Sequence, residues 1–407
     1  MGHSVCIVSN PGPRAATMLR CASQLVWETH FDMTETTGLD LSAETTALLE
    51  RYGFDRPTFD RLRARLMRGE AGDASNRIAG VVKTPSAGDV VPLPTPDSAA
   101  YAALRERGEA AIRDGKVAAV VLAGGMATRF GGVVKAAVDV APGHTFLDLK
   151  LADIRASAAR AKGQVPVFLM TSFATDADVT RMAQQASKVG QHVTAFAQFI
   201  SLRLRNDGSL FRDSEGEVSP YAPGHGDLSV ALRARGVLKQ LIADGVELLY
   251  MSNVDNLAAT LDPVIIGAHL ASGKQISVEV ADKAKGDKGG APARVDGVLQ
   301  IVEGFRFPKD FDQDSIPVFN TNSFVMDARA IDRDFDYTWF AVSKEVDGEK
   351  VIQFERLVGE LTAFLPCHCI GVMREGDEGR FMPVKDPPEL ESRREGIMHM
   401  LKRRGAL

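Results

Sequence analysis

The chain has 407 residues, of which 45% are hydrophobic and 25% charged, with a formal net charge of −5. That is the make-up of a soluble globular protein long enough to bury a large core. The acidic balance argues against a nucleic-acid binder, which shows a basic face, so an anionic ligand has to be drawn in by a local group of cations.

Residues 1–105 read as an N-terminal helical and extended region. Apolar spacing there predicts helices over Leu41–Arg51 and Thr58–Arg68, and VVKTPSAGDVVPLPTPDS at 81–98 is an extended connector. A helix over Ala99–Asp114 leads into an apolar strand at 117–123. Strands and helices then alternate. Val165–Met170, Val193–Phe199, Leu248–Ser252 and Gln275–Val280 read as strands. Phe146–Lys162, Asp176–Val189, Leu228–Asp244 and Asp262–Gly273 read as helices. Alternation of this kind predicts an α/β fold over residues 106–390, a mostly parallel sheet flanked by helices. Ligands then belong at the carboxyl ends of its strands. Cys367-His368-Cys369 reads as a buried strand, since C-x-C has no second pair of metal ligands elsewhere. Residues 391–407 read as a short basic helix. Four cysteines in all are too few for a disulfide framework. No run reaches the length of a membrane span, and MGHSVCIVSN lacks the basic stretch and apolar core of a secretory signal. A cytoplasmic protein without membrane or nucleic-acid partners is expected.

The stretch LAGGMATRFGGVVK at 122–135 carries the most chemistry. A buried strand runs into a turn where Gly124 and Gly125 let the backbone come close to a neighbour. N–H groups at such a turn form a concavity for anions, and Arg129 and Lys135 add positive charge. The loop is neither a P-loop nor a G-x-G-x-x-G dinucleotide motif. After it come PGHGD at 223–227, SNVDNLAATLDP at 252–263, KGG at 288–290, FNTNSF at 319–324, VIQFERLVGE at 351–360 and FMPVK at 381–385.

In this order the segments resemble the eukaryotic-type UTP–glucose-1-phosphate uridylyltransferase (UDP-glucose pyrophosphorylase) family over residues 110–390. The resemblance implies a Rossmann-like mixed sheet of the nucleotide-diphospho-sugar transferase (GT-A-like) kind. It implies a Mg²⁺-assisted, in-line transfer of uridylyl from UTP to glucose-1-phosphate, releasing pyrophosphate. The alternatives are the same reaction on galactose-1-phosphate, on N-acetylglucosamine-1-phosphate or on a broad range of sugars, and a catalytically silent UDP-sugar-binding protein. The family commonly carries a further β-helical domain after the segment like FMPVK, and this chain is expected to lack it. The oligomeric state is left open.

Residue by residue, Asp255 matches the Mg²⁺ ligand; on its own, it reads equally as a turn or cap residue. Asn253 and Asn256 beside it either bond ribose or sugar or close the turn. Lys135 and Lys385 match lysines on the UTP phosphates. Arg129 either joins them or caps the loop. Leu122, Gly124 and Gly125 are expected to face uracil through their backbone, and Gln198 matches the family's uracil-binding glutamine, a side-chain amide offering the donor and acceptor that a uracil edge needs. Gly224 and His225 pack against the nucleotide. Glu303 and Asn320 hold hexose hydroxyls, with Asn322 a weaker candidate and Lys288 on the sugar phosphate. Three departures from the family pattern stand out: Ala127 replaces a usual glycine, the stretch before Lys135 is about one residue short, and DKAKGDKGG at 282–290 lacks the usual threonine and Ala-Asp pair.

Overall fold

The computed structural model describes residues 38–407 except 285, 286 and 288, and of residues 127 and 128 it describes the backbone only. Its centre is an eight-stranded sheet. In chain order the strands are β1 (Val90–Pro92), β2 (Val117–Leu122), β3 (Val167–Thr171), β4 (Val193–Ala197), β5 (Leu248–Asn253), β6 (Ile276–Asp282), β7 (Val318–Asp327) and β8 (Cys367–Gly371). Across the sheet they run β1-β8-β6-β7-β5-β2-β3-β4. Only β7 is antiparallel to its neighbours; the other pairs are parallel. The mostly parallel sheet expected from alternation is therefore present.

The run VAAVVL in β2 has no polar residue because both of its faces are covered. Val117, Ala119 and Val121 point into one core layer, with Phe146, Leu149 and Ile154 of the helix Phe146–Arg160. Ala118 and Val120 point into the other, with Leu228, Leu232 and Leu238. The first of these helices starts at a capping box, Thr145 and Asp148 each bonding the other's backbone N–H. The single helix expected over Leu228–Asp244 is two, Asp227–Ala234 and Val237–Ala243. Gly236, at φ +71°, turns the chain between them.

Other expectations change as well. The helices at Ala43–Arg51 and Arg56–Met67 do not stand apart from residues 106–390. Leu49, Phe59 and Leu62 share a core with Leu202, Leu204, Ile352 and Phe354. Within the connector, β1 forms the edge of the main sheet. A boundary at 105/106 falls inside the helix Ala99–Arg113. The C-terminal helix begins and ends four residues earlier than expected, at Pro387–Arg403, capped by Asp386. FNTNSF lies in β7, whose polar residues conceal a strand. The start of β7 comes to the same edge as the carboxyl ends of the other seven strands, since Val318 pairs with Asp282.

Candidate active site

The carboxyl edge of the sheet gathers most of the expected residues. β2 ends at Leu122, whose carbonyl accepts from Val254 N–H at 3.2 Å. That carbonyl thus ties the glycine loop to the Asp255 segment; the Leu122 side chain packs half-buried on the core. The glycine loop follows. Gly124 O accepts from Ser172 Oγ at 2.8 Å, and Gly125 O accepts from Lys135 N–H at 3.2 Å. The N–H groups of Gly124 and Gly125 find no acceptor among the described residues. Gly131 and Gly132 make the return turn at φ +85° and +79°. Arg129 is exposed and has no ion pair among the described residues.

Gly124 is glycine for a reason other than ligand approach. A Cβ there would lie 2.6 Å from Gln198 Nε2 and 3.2 Å from Ser172 N. Gln198 follows β4, its N–H bonded to Thr171 O at 3.0 Å. Its side chain is 5% exposed, and Oε1 has no partner among the described residues. A buried acceptor left open beside the glycine loop has room for one more donor.

Asp255 and Lys135 form an ion pair in which both side chains are 17% exposed. Residues 120 positions apart are thus brought together at the end of β5. Asp255 O also accepts from Val384 N–H at 3.3 Å, which places FMPVK alongside. Lys385 is exposed, and its backbone N–H bonds Glu389 at 2.7 Å. Asn256 does not fit the sugar role expected of it. It is 1% exposed, and both ends of its amide are spent on backbone, Nδ2 on Arg380 O at 3.1 Å and Oδ1 on Met382 N–H at 2.9 Å. It pins the FMPVK segment to the Asp255 loop.

Among the described residues, no three His, Cys, Asp or Glu side chains gather as a metal cage. A single, partly exposed carboxylate suits Mg²⁺, which keeps waters and takes further oxygens from substrate phosphates. It does not suit an ion held by protein groups alone.

On the other side of β5, Asn253 Oδ1 accepts from Asn322 Nδ2 at 2.9 Å. Asn322, at φ +61°, is held by its N–H on Asn320 Oδ1 at 2.9 Å. Asn320 N–H bonds Gly290 O at 2.7 Å, and a Cβ at Gly290 would lie 2.9 Å from Glu303 Oε1. Glu303 and Asn320 are thus joined through Gly290. Burial raises the Glu303 carboxyl above its ordinary range, and Arg306 partly offsets this. Lys288 lies outside the described residues.

Gly224 and His225 sit at a joint with the QFERL segment. Arg356 N–H bonds Pro223 O at 2.8 Å, and Gly226 N–H bonds Arg356 O at 3.0 Å. Buried Asp227 pairs with Arg356, which lies 4.4 Å over the Trp339 ring. His225 Nδ1 accepts from Val358 N–H at 3.1 Å, so Nε2 carries the proton. Burial pushes the imidazole down from 6.5 to about 4. The unfolded chain takes up this proton below pH 6.5, the folded one only below about 4. Stability should therefore fall as pH drops through that window. Denaturation midpoints measured from pH 7 to 4 should decline less steeply in His225→Gln; an unchanged slope would remove His225 as a cause.

Sequence reasoning passed over Ser172, Arg356, Arg380 and Lys150. One signal was available: Lys150, Asp153 and Ser157 recur at i, i+3 and i+7 inside an otherwise apolar helix face.

A family model described as UTP–glucose-1-phosphate uridylyltransferase matches residues 82–400. An enzyme of that name from Saccharomyces cerevisiae is 32% identical over 324 residues, 74% of this chain and 64% of the relative. One from Encephalitozoon cuniculi is 30% identical over 288 residues, 68% of this chain and 57% of the relative. The chain thus spans about three fifths of the length of these relatives. Among solved structures, a UDP-N-acetylglucosamine pyrophosphorylase from Trypanosoma brucei superposes with TM-score 0.72 at 20% identity, covering 90% of this chain and 83% of that one. A UDP-glucose phosphorylase from the same organism gives 0.67 at 22%, covering 86% and 76%. At these identities the structures establish the fold.

Proposed function

The chain belongs to the UTP–glucose-1-phosphate uridylyltransferase family, and from that premise we propose that it transfers uridylyl from UTP to glucose-1-phosphate, releasing pyrophosphate. The observation that carries this reading is the meeting of the open glycine loop with the Lys135–Asp255 pair at one sheet edge. Phosphoryl transfer asks mainly for alignment and charge neutralisation. Gly124 and Gly125 N–H groups, Arg129, Lys135 and Lys385 supply donors and cations for the triphosphate. Gln198 Oε1 accepts from the uracil N–H, which answers its missing partner. Glu303 and Asn320 orient the hexose, and His225 Nε2–H faces the nucleotide from the joint with QFERL.

Asp255 would hold Mg²⁺, with Lys135 moving from the carboxylate onto phosphate oxygen. When bound, the ion neutralises charge on the phosphate oxygens. No helix among the described residues is long and apolar enough to cross a membrane, and Cys367 and Cys369 are free thiols. The free thiols are in keeping with a proposed place in the cytoplasm.

The test is pyrophosphate release from UTP, Mg²⁺ and a panel of sugar-1-phosphates. Glucose-1-phosphate should be used best, and ATP should not replace UTP. Equal rates with galactose-1-phosphate or N-acetylglucosamine-1-phosphate would replace the glucose assignment by a broad one. Equal rates with ATP would remove the base assignment to Gln198.

A further inference from the structure

The loop after Asp255 is held from beneath by side chains. Lys150 Nζ donates to Asn256 O at 2.9 Å and to Ala259 O at 2.5 Å. Arg380 Nη2 donates to Thr260 O at 2.9 Å, and Ser157 Oγ to Leu261 O at 2.5 Å. Arg404 donates to Leu257 O at 3.4 Å and to Ala258 O at 3.3 Å. Six consecutive carbonyls, from Asn256 to Leu261, each have a side-chain donor. The donors come from three places in the chain: the helix Phe146–Arg160, the segment before FMPVK and the end of the C-terminal helix.

The donors are themselves fixed. Lys150, Asp153 and Ser157 are fully buried on one helix face. Asp153 lies 3.5 Å from Arg404. Arg380 is 3% exposed; it engages both oxygens of Glu279, and Tyr250 Oη lies at 3.1 Å. Burying an ammonium is costly, and burial pushes Lys150 down to about 7, with Asp153, Arg380, Arg404 and Asp255 around it. A leucine at this position would pack on the helix face without that cost. The lysine instead serves two carbonyls: Ala259 O has no other donor among the described residues, and Asn256 O otherwise accepts only from Ala259 N–H at 3.2 Å.

We propose that Lys150 and Arg404 are positioning residues for Asp255: by holding the carbonyls of residues 256–259 they fix the backbone that presents the Asp255 carboxylate to Lys135 and the phosphates. The inference rests on the function proposed above. Two readouts test it in Lys150→Met and in the milder Arg404→Gln, with Arg404→Lys as the conservative control. Hydrogen exchange should quicken at least about tenfold in amides 254–261 and stay unchanged in β2, as local loosening requires. In the same variants kcat should fall about tenfold or more while KM for UTP and sugar phosphate shifts less than about threefold, since misplacement costs rate more than binding. Arg404→Lys should recover most of both. A folded variant with unchanged exchange, or with faster exchange and unchanged kcat, overturns the inference. If Lys150→Met does not fold, Arg404→Gln decides it. If the unsubstituted protein shows no uridylyl transfer, the functional reading fails, and the exchange comparison alone then decides whether these residues fix the loop.

Discussion

Asp255→Ala is expected to lower uridylyl transfer by on the order of 100-fold or more while leaving the protein folded. The carboxylate stands just past the end of β5, outside the hydrophobic core clusters, so its removal opens no cavity in the apolar core. Two interactions go with it: the ion pair with Lys135 and the proposed bond to Mg²⁺. Each charge-assisted contact is worth about 1.5–3 kcal/mol, and about 1.4 kcal/mol is a decade in rate. The loss should appear in kcat and should not be recovered by raising Mg²⁺. Circular dichroism and the melting temperature should match the parent. A variant that turns over normally would place the metal elsewhere and leave the Asp255–Lys135 pair a purely structural contact.

Lys135→Ala and Lys385→Ala should each cost roughly one to two decades in kcat, with little change in sugar binding, if each cation acts mainly in the transition state. The two lysines start from different positions. Lys135 is already engaged by Asp255, whereas Lys385 is exposed and has no ion pair among the described residues. Lys135→Ala leaves the carboxylate unpaired, so it should bind Mg²⁺–nucleotide no more weakly than the parent. Combining Lys135→Ala with Asp255→Ala should cost less than the sum of the single losses, because the two residues share one contact. Lys385 makes no hydrogen bond or ion pair with Asp255, so its loss should add to that of Asp255→Ala. Fully additive losses for the first pair would mean that the ion pair plays no part in the reaction.

Much of this protein was legible in the amino-acid order. A strand buried on both faces reads as a near-continuous apolar run, so β2, β3 and β5 stood out; β4 and β6 were legible despite Thr194 in one and Ser277 and Glu279 in the other, and alternation with helices implied a parallel sheet. The glycine loop, Lys135 and Asp255 were legible for the same local reason: glycine, cations and a carboxylate just beyond strand ends. What the order hid depended on partners far along the chain. β7 carries Asn320 and Asn322 on a strand, and polar residues there suppress the strand pattern. Asn256 stood beside the metal carboxylate and read as a ligand group, but its amide is consumed by backbone 124 and 126 residues away. Lys150 read as one more charged helix residue until the fold set it beneath a loop more than 100 residues later. Local spacing determines which segments form strands and helices, because that depends on neighbours three or four residues away. Which polar atoms remain free for a ligand is decided only by the tertiary structure, because a hydrogen-bonding group is spent or spare according to what the fold brings within about 3 Å of it.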